Sequence, residues 1–322
     1  MHRLPSPLLL LVGVLAGCAG SLETPEEALL PVASLPQELT AANGTNLNGT
    51  NLNGTNLNGM DLSQFLVSTN FAGAMVNGYS VLDTIQLNAT RFTGQKGSAV
   101  FKDTDFLYAD FLGNLGNGSQ VQLRITGMSL APAPNSDLFL YEVKYLASDS
   151  TWQPACRDAQ GNPALALPVH GVWDYRQDVP GGGSKLNDPA RFTFACVSGA
   201  IAKCALWGYR PWVTHNGVSV ADHHQSCTRL VRGDYCGTGK SYTQNGNLIN
   251  LYDDLGIQQD TEDWVFEAEW DANGARCFYP LNRSHAGIPC YDSRVDQFCG
   301  QTLTTNRGAL LRNETPNAGL LP

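Results

Sequence analysis

The chain has 322 residues, of which 43% are hydrophobic and only 15% are charged, and its formal net charge is −9 at pH 7. This length and apolar content allow one large domain or two small ones, each with a real core. The acidic balance and the lack of a basic cluster argue against nucleic acid as a partner, because phosphate binding needs clustered Lys and Arg. The 33 glycines and 17 prolines favour a loop-rich, β-rich protein.

The N-terminus predicts a lipoprotein signal peptide over residues 1–17. Arg3 precedes a short apolar run, and the small residues that end at Gly17 lead directly to Cys18. A charged start, a short apolar core and small residues before the cut are typical of a secretory signal, and the Cys at the cut resembles a bacterial lipoprotein signal. The run is shorter than the roughly 20 residues of a spanning helix. We therefore predict cleavage after Gly17 and lipidation of Cys18.

The predicted lipidation of Cys18 indicates a location in the bacterial cell envelope, with the membrane as a partner. Lipoproteins carry two or three acyl chains at this Cys, and two or more chains anchor stably because each buried methylene contributes about 0.8 kcal/mol. In such families an Asp after the lipidated Cys favours the inner membrane. Ala19 stands there instead, so we expect the outer membrane, on its periplasmic face or at the cell surface.

Two segments without a globular pattern follow Cys18. Residues 18–42 are rich in Pro and Glu and predict a flexible tether. Residues 43–65 repeat the five-residue unit Thr-Asn-Leu-Asn-Gly and resemble the pentapeptide-repeat family, whose chains coil into a square β-helix. About four repeats make one coil, and one coil buries no core without stacked neighbours, so we expect it to cap the next domain or stay extended. The leucines in register are Leu47, Leu52, Leu57 and Leu62.

Strand patterns fill a predicted β-rich region over residues 66–150 and continue beyond it. Residues 121–126 alternate apolar and polar side chains, as a half-buried strand does, and Gly116-Asn117-Gly118 before them predicts a hairpin turn. Asp271-Ala272-Asn273-Gly274 predicts a second hairpin. Further predicted strands are residues 138–145, 191–197, 264–270 and 275–279.

The cysteines divide into Cys18 and an even set of eight. All eight lie after residue 155, in a predicted Cys-rich domain over residues 151–305 that a C-terminal tail, residues 306–322, follows. Export to an oxidising compartment predicts four disulfides. Metal ligation by thiolates is the alternative, but no Cys-x-x-Cys pair occurs. The pairing stays open, since eight cysteines allow on the order of a hundred pairings. They are Cys156, Cys196, Cys204, Cys227, Cys236, Cys277, Cys290 and Cys299.

Two short helices interrupt the strand pattern. Residues 200–207 predict the first. For the second, Ser219 and Asp222 fit a capping box, whose side chains bond to the free N–H groups of a helix start. This helix is expected to run to Arg232, with Gly233 as its C-terminal stop.

The second helix carries the candidate catalytic residues. His223, His224 and Cys227 fit the pattern of a metal site or a Cys–His nucleophile pair, but they share an apolar stripe of the helix. The two His residues lie about 100° apart around the axis, so they do not easily face one metal. We therefore expect a disulfide-bonded Cys227 flanked by two hydrogen-bonded His residues, and we predict no metal or cofactor. The other side of the helix carries Asp222, Gln225, Arg229 and Arg232.

The segment from Asp222 to Gly237, which contains Gly233-Asp234-Tyr235-Cys236, resembles a bacterial domain family named for an Ala-Asp-Tyr-Cys motif, the ADYC domain. Members similar to this chain often begin with a lipoprotein signal and an Asn-Gly-Thr-type repeat. Gly233 replaces the motif's Ala, which fits a helix C-cap. The resemblance implies a domain over roughly residues 120–300 and a bacterial origin, but no activity. Other similar segments are residues 173–176, 192–196, 208–212 and 249–253.

These patterns predict an α+β, β-rich, disulfide-braced extracytoplasmic domain with two short helices and one partial pentapeptide-repeat coil at its N-terminus. The function they favour is a cell-envelope binding or structural module, tethered at Cys18, with an unknown protein or glycan ligand. The alternative is an extracytoplasmic hydrolase that uses His223 or His224 with Asp234. A cleft exposing one His beside Asp234 would favour the hydrolase, and burial of both His residues would count against it.

Overall fold

Strands, rather than helices, build the described part of the chain. The structure is a computed structural model that describes residues 41–42, 66–76, 81–158, 161–244, 247–284, 287–300 and 308–316. The predicted signal peptide with Cys18, the pentapeptide-type repeat, and all of the tether except Ala41 and Ala42 lie outside the described residues. Those three assignments therefore stay predictions.

Three helices are described: α1 (Ala200–Leu206), α2 (Ala221–Arg232) and α3 (Tyr291–Arg294), besides a 3-10 turn at Asp103–Phe106. The third helix was not predicted, because one turn of four residues shows no periodic pattern. In chain order, the described strands are β1 (Ala41–Ala42), β2 (Leu66–Asn70), β3 (Thr84–Asn88), β4 (Arg91–Lys96), β5 (Ala99–Lys102), β6 (Asp110–Leu115), β7 (Gln120–Leu130), β8 (Phe139–Leu146), β9 (Trp152–Pro154), β10 (Ala166–His170), β11 (Val172–Trp173), β12 (Lys185–Leu186), β13 (Arg191–Cys196), β14 (Thr214–His215), β15 (Val218–Ser219), β16 (Leu248–Asp253), β17 (Val265–Asp271), β18 (Gly274–Phe278) and β19 (Leu311–Thr315).

Six antiparallel strands close into a barrel. Their order is β10-β13-β2-β6-β7-β8, and the circle closes where Ala166 of β10 pairs with Tyr141 of β8. The predicted turn at Gly116-Asn117-Gly118 is confirmed, since it joins β6 to β7. Because β10 and β13 follow residue 150, the barrel takes strands from both sides of the predicted boundary between residues 66–150 and 151–305.

Aromatic rings fill the barrel interior. Phe92 of β4 packs against the rings of Phe111, Tyr141, Phe192 and Phe194, with centroid distances of 5.4, 5.5, 5.2 and 6.1 Å. None of the five side chains is more than 1% exposed. Edge-to-face and tilted ring pairs at these distances are favourable, so the small sheet β3-β4-β5 is held against the barrel by Phe92.

Strand β13 connects the barrel to the helices. Phe194 packs in the barrel core, whereas Ala195 packs with Ile201 of α1 on the other face. Burial on both faces explains why this strand lacks apolar–polar alternation. Cys204 of α1 is bonded to Cys227 of α2, so α1 links the barrel to α2.

A second sheet, in the order β1-β16-β19-β17-β18, packs one face against α2. The predicted hairpin at Asp271-Ala272-Asn273-Gly274 is confirmed, because Asp271 of β17 pairs with Gly274 of β18. Burial of this apolar face is the main favourable term that fixes α2 to the sheet. The shared core contains Ile249, Leu251, Ala268, Trp270 and Leu311 of the sheet and Cys227, Leu230 and Val231 of the helix.

The prediction of four disulfides among the eight cysteines is confirmed, and the structure supplies the pairing that the sequence left open. The Cα–Cα distances of 5.4 to 5.8 Å are ordinary for disulfides. Closing chain loops in this way constrains the unfolded state and so stabilises the fold. The pairs are Cys156–Cys196, Cys204–Cys227, Cys236–Cys290 and Cys277–Cys299.

The ends of α2 are only partly as predicted. The capping box was wrong: the residue before the first turn is Val220, one position later than expected, and its side chain cannot accept a hydrogen bond. The Ser219 hydroxyl accepts a bond from the Ala221 N–H at 3.3 Å instead. The C-terminal stop is confirmed, because Gly233 adopts the left-handed conformation with φ 60° and ψ 35°.

Replacing Gly233 with Ala should lower the free energy of unfolding by about 1 kcal/mol, since a Cβ disfavours the left-handed region. The added carbon would lie 3.4 Å from Cε2 of Tyr235, an ordinary contact, so no clash adds to this cost. Urea denaturation measures the change. Gly287→Ala is the control, because Gly287 has no left-handed φ and no atom of the described residues lies within 4 Å of a Cβ added to it. Equal effects of the two substitutions would contradict the prediction.

Candidate functional site

Helix α2, which carries the predicted site residues, lies inside the protein. Every residue from His223 to Arg232 is buried. The second sheet and α1 pack against it, and the turn around residues 182–184 supplies bonding partners for its polar side chains. On the polar side predicted from the sequence, Gln225, Arg229 and Arg232 are therefore buried as well, whereas Asp222 is exposed.

Gln225 shows how the buried polar side is satisfied. Its Oε1 accepts hydrogen bonds from Trp173 Nε1 at 3.2 Å and from the Lys185 backbone N–H at 3.1 Å. Its Nε2 donates to the Gly183 carbonyl at 2.9 Å. Because an unpaired buried amide costs about 1–3 kcal/mol, these bonds allow a polar residue on a buried helix and fix the β11–β12 hairpin against it.

Asp234 follows directly after the helix stop and is fully buried. Its carboxylate forms an ion pair with the Arg229 guanidinium and lies 3.9 Å from Arg232 Nη1. It also accepts hydrogen bonds from the N–H groups of Thr238 at 3.0 Å and Gly239 at 2.9 Å. Its charge is therefore compensated by cations and backbone dipoles, and its role in the described contacts is to hold the turn after α2.

Arg229 extends this ion pair to a second turn. Its guanidinium donates to the Gly182 carbonyl and, at 2.8 Å, to the Ser184 hydroxyl. The two turns touch: a Cβ on Gly182 would lie 2.4 Å from the Thr238 carbonyl oxygen, closer than real Cβ atoms approach. The Gly-rich run before Ser184 is therefore packed tightly at Gly182.

Tyr235 and Cys236, which complete the motif, are also held by buried contacts. The Tyr235 hydroxyl donates to the Glu267 carboxylate, which accepts further bonds from Arg283 at 3.0 Å and Asn313 at 3.1 Å. Cys236 is bonded to Cys290. Burial and the neighbouring Glu267 raise the Tyr235 pKa well above its ordinary value, so the phenol stays a donor. Each residue of the segment 233–236 thus contributes to folding.

The two candidate His residues are buried on the core side of α2. His224 is fully buried, its Nε2 lies 3.0 Å from the Ile201 carbonyl oxygen, and its ring centroid is 5.9 Å from that of Trp173. Burial, with a smaller effect of Lys185, lowers its pKa to about 3. His223 is 5% exposed, and burial lowers its pKa as well. Both imidazoles are therefore neutral at physiological pH.

The structure does not bring either imidazole together with Asp234. In the described residues no hydrogen bond or ion pair joins them, and Asp234 is bonded to Arg229 and to backbone N–H groups instead. The acidic groups that partly oppose the effect of burial on the His223 pKa are Asp253, Asp222 and Asp254, and Asp234 is not among them. Cys227 is in a disulfide, so it offers no thiolate to a Cys–His pair.

Metal ligation by cysteine is also excluded for the described residues. Glu269, Cys277 and Cys299 place their ligand atoms within 4.8 Å of one another. The two sulfurs, however, are joined in a disulfide, and a metal needs a thiolate. This group therefore does not form a thiolate site.

A cleft opens on the outer face of the second sheet, away from α2. Its volume is about 370 Å3, within the range of small-ligand sites. The register places Asn250, Glu314 and Phe266 in one row across β16, β19 and β17, so their side chains share this face. Tyr252 lies two residues along from Asn250, on the same face. The lining residues are Tyr252, Val265, Phe266, Tyr279, Cys299, Gly300 and Glu314.

The electrostatics of the cleft centre on Glu314. Glu314 is 9% exposed, and its Oε2 accepts hydrogen bonds from the Trp264 N–H at 3.3 Å and Asn250 Nδ2 at 3.4 Å. Burial raises its pKa, and the negative charges of Asp260 and Asp263 raise it further. No ion pair of the described residues includes Glu314. Glu314 was not predicted as a site residue, because strand register cannot be read from one sequence.

Arg312 lies on this face as well, because it pairs with Tyr252 in the strand register. Its guanidinium lies 2.8 Å from the Asp254 carboxylate and 3.6 Å from that of Glu269. Two acidic groups therefore already share this positive charge. The described face keeps a net negative charge beside three aromatic side chains.

Replacing His224 with Gln should weaken the acid sensitivity of the fold. The unfolded chain binds a proton at this His near its ordinary pKa of 6.5, whereas the folded chain does so only near about 3. Stability should therefore fall by about 1.4 kcal/mol per pH unit as pH drops between these values. The measurement is urea denaturation of wild type and variant at a series of pH values. His215→Gln, at a partly exposed His, should follow the wild type, and parallel curves for all three proteins would contradict the prediction.

Replacing Glu314 with Gln should raise the free energy of unfolding at neutral pH. In the unfolded chain the carboxylate is charged in water, whereas burial, Asp260 and Asp263 disfavour that charge in the fold. The gain should shrink as pH falls through the raised pKa, because the wild-type carboxyl then becomes neutral too. Denaturation over pH measures it. The control is Glu142→Gln, at a partly exposed carboxylate 3.2 Å from Lys144. A less stable Glu314→Gln variant at neutral pH would refute the argument.

Comparison with protein families identifies the domain that contains these features. The family model of the ADYC domain matches residues 103–284, more than half of the chain. Comparison with curated proteins and with solved structures found no match. The match begins inside the predicted β-rich region, so it includes five of the six barrel strands, all except β2, as well as α2 and the segment 233–236. The chain belongs to the ADYC domain family.

Proposed function

We propose that this chain is a bacterial cell-envelope lipoprotein, anchored by lipid at Cys18, whose ADYC domain is a binding or structural module. The observation that carries the proposal is the use of cysteine. The eight cysteines after residue 155 pair into four disulfides, which suits an oxidising compartment outside the cytoplasm. Cys18 is left over from this set and stands where a lipoprotein signal requires it.

The proposal extends to location and to the segments before the domain. The signal peptide, residues 1–17, delivers the chain, Ala19 favours the outer membrane, and residues 18–65 lift the domain from the lipid as a tether and a short pentapeptide-type repeat. Among the described helices, none is long and apolar enough to cross a membrane. The sequence leads us to expect a protein or a glycan as the ligand. It would bind to the domain at an open surface such as the cleft beside Glu314.

The hydrolase alternative, with His223 or His224 acting with Asp234, stays a prediction without support from a specific contact. Burial of both imidazoles and the engagement of Asp234 by Arg229 count against it. A general base must reach the proton that it removes within about 3 Å or through one water. A binding or structural role needs no such group, and we therefore favour it.

Replacing Cys18 with Ser should abolish fatty-acid labelling and move the protein from the membrane to the soluble fraction, because Ser supplies no sulfur for acylation. Cell fractionation after labelling with a radioactive fatty acid measures both effects. Ala19→Ser changes the neighbouring residue and keeps the thiol, so this control should stay labelled and membrane-bound. Membrane retention of the Cys18→Ser protein would overturn the anchor proposal.

A further inference from the structure

We propose that the cleft on the outer face of the second sheet binds an alkylammonium group, a positively charged nitrogen that carries alkyl substituents. This inference rests on the proposed function as a binding module and names its ligand class. The cleft combines three features that such a cation requires: aromatic walls, a carboxylate without a cationic partner among the described residues, and enough volume for a head group.

Aromatic side chains form the walls. Tyr252, Phe266 and Tyr279 line the cleft and are each partly exposed there. The negative face of an aromatic ring attracts a cation, most strongly when both are shielded from water. Phe266 is held from behind by Gly300, where a Cβ would lie 2.5 Å from its Cζ atom, so only Gly permits this position of the ring.

The carboxylate of Glu314 supplies the charge. Its hydrogen bonds from the described residues go to Oε2, and Oε1 receives none from them. Asp260 and Glu314 both accept hydrogen bonds from Asn250, because Asn250 Nδ2 also donates to Asp260 Oδ1, at 2.7 Å. A cation in the cleft would offset the repulsion among these carboxylates, whereas a neutral sugar would not. The charge distribution therefore favours a cation over an uncharged ligand.

Two sources present this chemistry. A choline head group carries a quaternary ammonium, and a lysine side chain or a polyamine carries a primary one. Either ammonium group can contact the face of an aromatic ring and pair with a carboxylate. Only the primary ammonium can also donate hydrogen bonds to Glu314 Oε1. A comparison of choline with n-butylammonium therefore separates a lipid or glycan-linked head group from a peptide or polyamine.

The test is isothermal titration calorimetry on the full-length protein in a non-ionic detergent. The probes are choline, n-butylammonium and neohexanol, the uncharged analogue in which carbon replaces the choline nitrogen. At least one cation should bind about tenfold more tightly than neohexanol. Glu314→Gln should remove that preference, and Phe266→Leu should weaken cation binding severalfold while it keeps an apolar side chain in place.

The matched control is Glu142→Gln, which removes the same charge from the barrel and should bind the cation like the wild type. Circular dichroism and thiol counting verify that each variant is folded and oxidised. Equal binding of neohexanol and the cations, no binding of any probe by folded protein, or unchanged cation binding by Glu314→Gln would each overturn the inference. Fatty-acid labelling at Cys18 is read from the same preparation, so failure of the cleft and failure of the anchor are distinguishable.

Discussion

The ion pair between Asp234 and Arg229 is the contact on which the surroundings of α2 depend. Neither side chain is more than 1% exposed, and removal of one partner from a buried pair typically costs about 3–5 kcal/mol because the other charge stays buried. The carboxylate is satisfied by the guanidinium and by two backbone N–H groups. The same guanidinium holds Gly182 and Ser184. One pair of charges therefore joins the helix end to the turn that follows it and to the turn at Gly182 and Ser184, which lies more than 40 residues away in sequence.

A second buried charge pair ties the sheet to the same helix. The irregular pairing between Phe266 and Ala268 in β17 leaves Glu267 as an extra residue, as in a β-bulge, which re-aims a side chain. Glu267 then meets Arg283, which also donates to the Leu230 carbonyl near the end of α2. The family motif at residues 233–236 takes part in both networks, through Asp234 in the first and Tyr235 in the second. Its side chains thus serve the folded core.

The two faces of the second sheet differ in their surroundings: one packs on α2, and the other lines the cleft. Along β16 and β19, Leu251 and Asn313 point to the core, while Tyr252 and Glu314 point to the cleft. Because neighbouring residues of a strand face opposite sides, side chains on the outer face can differ without a change in the packing on α2. Glu314 on that outer face carries an electrostatic cost, because burial and the charges of Asp260 and Asp263 disfavour its ionised form.

The parts of the fold that were predictable are local. The turns at residues 116–118 and 271–274 and the stop at Gly233 depend on the backbone preferences of a few neighbouring residues. The capping box failed within the same range, because a shift of one residue replaced Ser219 by Val220 at the helix start. The burial of Gln225, Arg229 and Arg232 on the polar side of α2 does not follow from the local pattern. It depends on partners distant in the chain, such as Gly183, more than 40 residues away, whose carbonyl accepts a hydrogen bond from Gln225.

By itself the sequence determined the β-rich class, the hairpin turns, the end of α2 and the even number of cysteines available for disulfides, and it predicts the lipid anchor at Cys18. Only the tertiary structure decided which cysteines pair, that both His residues and Asp234 lie in the core, and that Glu314 meets Phe266 and Tyr252 in a cleft. The physical reason is distance along the chain. Turn and cap preferences act between adjacent residues, whereas Asn250 and Glu314 become neighbours only when strands 64 residues apart adopt one register.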